Sequence, residues 1–186
     1  MAERLVSDLA SAEVWRAPGR LIGLDLELVN TGLVVLTDRG LTLRSATYHY
    51  PLTSTKKLPI SERDRVDRIL HLANDIIGVV KTFGVQHIVI EAGGASFGAK
   101  SQAIQRGGLL YVVITQIWLA CHVFPELVTA SGARKSVLGY GGSGKDQKQK
   151  VIEALELADI TFDTDHEADA YVAARWLFNQ VKERTS

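Results

Sequence analysis

Hydrophobic positions change period along this chain, and the changes mark its elements. Leu21 to Leu24 and Leu33 to Leu36 read as two short strands around a tight Asn30-Thr31-Gly32 turn. Leu41, Leu43, Ser45, Thr47 and His49 alternate with their neighbours as a third strand. Together the three predict an antiparallel meander. Ser61 with Asp64 makes a capping-box start to a helix. Its apolar stripe is Val66, Ile69, Leu70, Ala73, Ile77 and Val80, and Gly84 can end it. His87-Ile88-Val89-Ile90 is a continuous run, read as a strand buried on both faces. A glycine-rich loop, Gly93 to Gly98, leads into a long apolar helix from about Ser101 to Cys121, and Leu127-Val128-Thr129 is a short strand. A second glycine-rich loop, Gly139 to Lys145, precedes a helix to about Leu157, and a last helix runs from about His166 to Val181. This order predicts a mixed α/β domain with five strands flanked by helices.

Composition narrows the class. At 186 residues, with 46% apolar and 23% charged residues, the chain is a single globular domain, and disorder, collagen and coiled coil are excluded. Residues 1–20 read as an N-terminal extension closing on Ala17-Pro18-Gly19, with the domain over 21–186. The single cysteine, Cys121, excludes an intramolecular disulfide framework or a cysteine-built zinc site and points to a reducing compartment. The longest apolar stretch, Leu109 to Phe124, is broken by Thr115, Gln116 and His122. It falls short of the roughly 20 residues a membrane span needs. Glu3 and Asp8 in a terminus without an apolar core argue against a signal peptide. The expectation is a soluble intracellular protein with no membrane partner.

Net charge is zero, with 21 basic and 21 acidic residues, but the distribution is uneven. Residues 131–150 carry Arg134, Lys135, Lys145, Lys148 and Lys150 against Asp146 alone, and residues 151–186 carry eight acids against three bases. A basic block beside an acidic tail suits a polyanion bound next to a carboxylate cluster that holds cations. Two solvated faces of opposite sign would give the same pattern.

Three places could carry chemistry. Asp25 closes the apolar strand Gly23-Leu24-Asp25, where a carboxylate is costly without a cation or donors; the other reading is a turn or cap residue. Glu91 closes Ile88-Val89-Ile90 in the same way and is followed by Ala92-Gly93-Gly94, which leaves room for close approach. In His166-Glu167-Ala168-Asp169-Ala170, His166 and Asp169 lie one helical turn apart, as two ligands of one ion or as a cap and a surface contact. Taken together, an oxygen-rich set with one imidazole suits Mg²⁺ or Mn²⁺, and two such ions can clamp a phosphate during hydrolysis. The three places converge only if the first strand lies centrally.

At these residues the chain resembles the RuvC-type Holliday junction resolvases of the RNase H-like superfamily. Gly23-Leu24-Asp25 followed by Thr31-Gly32 is similar to the family's first-strand motif, and Ile88-Val89-Ile90-Glu91 to its second acidic strand. Arg106-Gly107-Gly108-Leu109 resembles the start of its long central helix, and Val137 to Gln149 its basic glycine loop. His166-x-x-Asp169-Ala170 resembles its C-terminal metal motif. The resemblance covers roughly residues 21–180 and implies an RNase H-like sheet and a homodimer that cuts branched, four-way DNA junctions symmetrically. It implies two Mg²⁺ or Mn²⁺ ions per active site, held by Asp25, Glu91, His166 and Asp169. It also implies that Lys145, one of the catalytic residues, holds the scissile backbone, with Arg134 or Lys135 as a second phosphate contact and Tyr140 and Lys148 as further DNA-binding residues. The family's proline and glycine after the first aspartate are here Leu26 and Glu27, so Glu27 could add a ligand or face solvent. Phe97 stands in the loop where the family offers a junction-opening aromatic, at a different offset.

Gly139-x-x-x-x-Gly144-Lys145 nearly spells a P-loop, but Asp146 stands where Ser or Thr would bind Mg²⁺. The apolar helix over 109–124 reads as monomer core or, following the resemblance, as a dimer interface. Two rivals to a junction resolvase remain: another RNase H-like nuclease, YqgF-type or general, and a junction-binding protein without catalysis. Retention of three carboxylates and His166 favours an enzyme.

Overall fold

The computed structural model describes Ala17 and residues 19–50, 61–92, 100–142 and 145–185. Three antiparallel strands come first: β1 (Arg20–Asp25), β2 (Asn30–Leu36) and β3 (Thr42–His49). Then follow α1 (Glu62–Phe83), β4 (Val85–Ala92), α2 (Lys100–Cys121), β5 (Glu126–Thr129), α3 (Ala130–Leu138), α4 (Lys145–Glu156) and α5 (Asp165–Thr185). The strands form one mixed sheet in the order β3-β2-β1-β4-β5, with β1 at its centre. β1 pairs antiparallel with β2 and parallel with β4, and β4 pairs parallel with β5. Among the described residues, no helix is long and apolar enough to cross a membrane.

Period-two alternation divides each central strand between two cores. Ile22 and Leu24 of β1, Leu33 and Val35 of β2, and Ile88 and Ile90 of β4 pack against α1 and α2. Leu21, Val34, Leu36 and Val89 point to the other face, where α5 lies with α3 and α4. On that α5 face, one register row runs straight across the sheet. Thr47 pairs with Gly32, Gly32 with Asp25, Asp25 with Glu91, and Glu91 with Val128.

Two glycines bring α5 down onto this face. A Cβ on Gly23 would stand 2.1 Å from the Ala170 carbonyl oxygen, and one on Gly32 would stand 2.0 Å from that of His166. Ala168, Ala170, Ala173 and Ala174, all buried, complete the close packing from the helix side. Small residues on both surfaces therefore set the height of α5 above β1 and β2. At the other end of the contact, buried Arg175 donates to the Gly40 carbonyl at 3.3 Å and lies over the Phe178 ring.

The helical patterning differs from expectation in two places. In α1 the capping box of Ser61 and Asp64 and the left-handed Gly84 stop are as read, but Val66 is 52% exposed and Leu70 36%. The buried residues are Leu72, Ala73, Ile76, Ile77, Val79 and Val80, all in the C-terminal half, where α1 packs on α2 and β4. The first turns of α1 carry apolar residues but have no such cover among the described residues. The sequence reading also passed over α3. Thr129 caps it by accepting from the Gly132 N–H at 3.1 Å, and Gly139 stops it in the left-handed region at φ 78°. Because α3 is a helix, the near-P-loop at Gly139 follows a helix rather than a strand, which is not P-loop architecture.

Candidate active site at the ends of β1 and β4

Asp25 is the last residue of β1, and its register partner on β4 is Glu91. Strand alternation turns both toward α5. The first turns of that helix cross the same row, so Asp25, 8% exposed, lies beneath His166 and Asp169. The His166 Nδ1–H donates to Asp25 Oδ2 at 2.8 Å, and this bond, with the nearby acidic charge, raises the imidazole above its ordinary range. Its other nitrogen, Nε2, lies 3.9 Å from Asp165 Oδ1.

Asp169 is 3% exposed, and its carboxylate is raised chiefly by burial, with Asp25 adding to the effect. Opposing both, Arg134 of α3 donates from Nη2 to Asp169 Oδ1 at 2.7 Å. Lys148 of α4 donates to Asp165 Oδ2 at 2.7 Å and stands 3.9 Å from Asp169 Oδ2. Burial works against the ammonium of Lys148, but the Asp165 bond and the Asp165, Asp169 and Asp25 charges outweigh it and hold its pKa raised.

Glu91 is the outlier. Burial, followed by the like charges of Asp25 and Asp169, pushes its carboxyl up to about 8. A carboxyl group kept protonated near neutrality, first by burial and then by two neighbouring carboxylates, marks a place short of positive charge. Among the described residues, no three carboxylate, imidazole or thiol side chains are drawn into a ready metal-ligating cluster. Asp169 is turned to Arg134 and Asp25 to His166, so hydrogen-bond donors of the protein occupy part of the acidic cluster. The donor types nevertheless fit a hard divalent ion: carboxyl oxygens of Asp25, Glu91 and Asp169 from three elements, with the His166 imidazole.

The remaining residues singled out from sequence fall in different places. Arg134 is 4% exposed and is spent on Asp169, so its guanidinium is not a surface phosphate contact. Its Nε and the Tyr140 Oη are buried without a hydrogen-bond partner among the described residues. Lys135 is exposed, Lys148 half-buried and Glu27 exposed. Lys145 opens α4, but its side chain, like the whole of Phe97, lies outside the described residues. The opposite charges of the 131–150 and 151–186 blocks therefore meet in part within the site, through Lys148 with Asp165 and Arg134 with Asp169. Sequence reasoning missed Asp165 and the buried Glu167, whose Oε1 accepts from the Thr47 hydroxyl at 3.0 Å. The run Thr164-x-x-Glu167 is a capping-box pattern and would have placed the helix start correctly.

A central β1 with acids at the ends of β1 and β4, faced by a C-terminal helix, makes a mixed five-stranded α/β fold with its candidate site at the strand ends. No protein-family model matches this sequence, and no curated protein matches it. Among solved structures, RuvC of Thermus thermophilus in complex with a Holliday junction substrate is similar over 90% of this chain and 96% of its own, at TM-score 0.65 and 17% identity. A second Thermus thermophilus RuvC structure aligns over the same shares at TM-score 0.63 and 16% identity. The Holliday junction resolvase of yeast mitochondria aligns over 98% of this chain and 86% of its own, at TM-score 0.57 and 15% identity. At such identities the likeness is one of fold.

Proposed function

We propose that this protein is a metal-dependent endonuclease that resolves four-way DNA junctions, acting as a homodimer that nicks symmetrically. The observation that carries this reading is the meeting of Asp25, Glu91 and Asp169, from β1, β4 and α5, on a RuvC-type fold. Asp25, Glu91, Asp169 and His166 would hold Mg²⁺ or Mn²⁺. Such ions, when bound, supply a nucleophilic water at neutral pH and offset charge on the phosphate under attack.

The chain's own residues orient the reaction. The His166 Nδ1–H fixes the Asp25 carboxylate from the helix side. Arg134 holds Asp169 in place from below, deep in the protein. Lys148, half-buried between Asp165 and Asp169, is the described cation best placed to meet a DNA phosphate at the mouth of the site. Lys135, exposed on α3, continues that basic edge, and Lys145, which opens α4, is proposed as a further phosphate contact. Tyr140 is proposed as a further DNA contact, and so is Phe97, which follows β4 in the sequence.

The test is a labelled synthetic four-way junction incubated beside a linear duplex and an RNA–DNA hybrid, with Mg²⁺, Mn²⁺ or EDTA. Paired nicks confined to the junction, ending in 5′-phosphates and lost with EDTA, Asp25→Asn or Glu91→Gln, are expected. Equal cutting of linear or hybrid substrates would instead define a less selective RNase H-like nuclease. Tight junction binding without metal-dependent cutting would define a binding protein.

A further inference from the structure

We infer that Glu167 and Thr47 form a positioning brace that holds the metal-facing turn of α5 against the sheet, an inference that rests on the proposed nuclease reading. The Thr164 Oγ1 accepts from the Glu167 backbone N–H at 3.2 Å, as an N-cap does for the third helical residue. In a closed capping box the glutamate would return to the cap's own backbone. Here its carboxylate is turned outward to the edge strand β3, where Oε1 accepts from the Thr47 hydroxyl at 3.0 Å. The same Thr47 oxygen lies 2.6 Å from Thr164 Oγ1. With Thr47 donating to Glu167, Thr164 donates to Thr47, and every hydroxyl hydrogen in the chain is used.

The location gives the brace its consequence. Thr47 lies in the register row that holds Gly32, Asp25 and Glu91. Glu167 stands between His166 and Asp169 on the first turns of α5. Gly32 sets how close that turn comes to the sheet, and the Thr47–Glu167–Thr164 chain sets its position along the row. A rotation or slide of this turn would move the His166 ring off Asp25 and the Asp169 carboxylate away from Glu91. Glu167 is 4% exposed, a burial costly for a carboxylate unless its hydrogen bonds are made. Helix capping alone would leave Glu167 free to face solvent; its ties to β3 are what a positioning role requires.

The experiment compares Thr47→Val, Glu167→Ala and Glu167→Gln in the full chain by thermal unfolding, by Mn²⁺ calorimetry and by cleavage of the four-way junction. Thr47→Val and Glu167→Ala are expected to weaken Mn²⁺ binding by about 10-fold or more, the usual cost of losing a group that orients a metal ligand. Glu167→Gln keeps an acceptor for Thr47 and is expected to stay within about threefold of wild type. Should Glu167→Ala not fold, Thr47→Val, which keeps the side-chain shape, carries the test. Folded variants that lose only melting temperature, with Mn²⁺ affinity and cleavage within about twofold of wild type, would reduce the brace to a helix cap and overturn the inference. Wild-type protein that neither binds Mn²⁺ nor cuts the junction would instead remove the nuclease reading beneath it.

Discussion

Arg134 Nη2 lies 2.7 Å from Asp169 Oδ1, with both side chains sealed from solvent although 35 residues separate them in the chain. A buried pair of this kind is unforgiving of losing one member, because the survivor is left as an uncompensated charge. Arg134→Met is therefore expected to lower stability by about 3–5 kcal/mol in metal-free buffer. Adding Mn²⁺ should restore part of that loss by supplying Asp169 with another cation. Chemical denaturation with and without Mn²⁺ measures both effects, and an equal loss in the two conditions would show that Asp169 does not face the metal.

The titration of the site gives a pH dependence with a definite sign. Glu91 (to about 8), Asp169 and His166 all have folded-state pKa values above their ordinary ones. Between each group's unfolded and folded pKa the native state holds more protons than the unfolded chain, so stability falls as pH rises. For Glu91 that window runs from its ordinary value of 4.5 to about 8, and for His166 it opens above 6.5. In EDTA the melting temperature is expected to drop from pH 5 toward pH 8. Glu91→Gln should flatten this slope and melt higher than wild type at pH 8. An unchanged slope in the variant would show that Glu91 ionises freely.

Helix height is set by glycine. Gly32→Ala and Gly23→Ala would each drive a methyl into the α5 backbone. Backbone cannot swing aside as a side-chain tip can, so each is expected to cost about 1–3 kcal/mol or more. In the folded fraction α5 must lift, and Gly32→Ala, directly beneath His166, should lose junction cleavage more completely than Gly23→Ala. Unfolding curves together with cleavage normalised to folded protein test this.

On α1, which covers the sheet face opposite α5, Ser61 accepts from the Asp64 N–H at 3.1 Å and closes the capping box. Ser61→Ala is expected to cost about 1 kcal/mol and leave cleavage untouched, a local loss with no path to the carboxylates. Asp64 is held below its ordinary pKa chiefly by the Ser61 hydrogen bond. The contribution of this cap is therefore present above the ordinary aspartate range and fades as pH falls through the folded value. Melting curves at pH 3 and pH 7 should show a smaller difference between wild type and Ser61→Ala at the acid end.

Much of the architecture was legible because it is written locally. Short apolar runs mark β1 and β2, alternation marks β3, the unbroken run at Ile88 to Ile90 marks a doubly covered strand, and Ser61 and Gly84 bound α1. The helix α3 was not read, since nine residues with two serines, a glycine and two cations carry almost no apolar stripe; its signal is the cap at Thr129. The exposed Val66 and Leu70 show the converse, an apolar pattern that, among the described residues, runs past the surface that covers the helix.

The sequence by itself determined which residue types stand at the strand ends and on the last helix: Asp25, Glu91, His166 and Asp169. It also determined that small residues, Gly23, Gly32 and the alanines of α5, would let those segments approach. Only the tertiary structure decided that β1 lies centrally, that Asp25 and Glu91 share a register, and that Arg134 belongs to Asp169 rather than to the surface. It likewise decided that Thr47 on an edge strand reaches Glu167, 120 residues away. The physical reason is that local patterns follow from the period of the backbone. A buried charge, by contrast, is matched by whichever opposite group the folded chain brings within hydrogen-bond reach, and sequence separation does not constrain that choice.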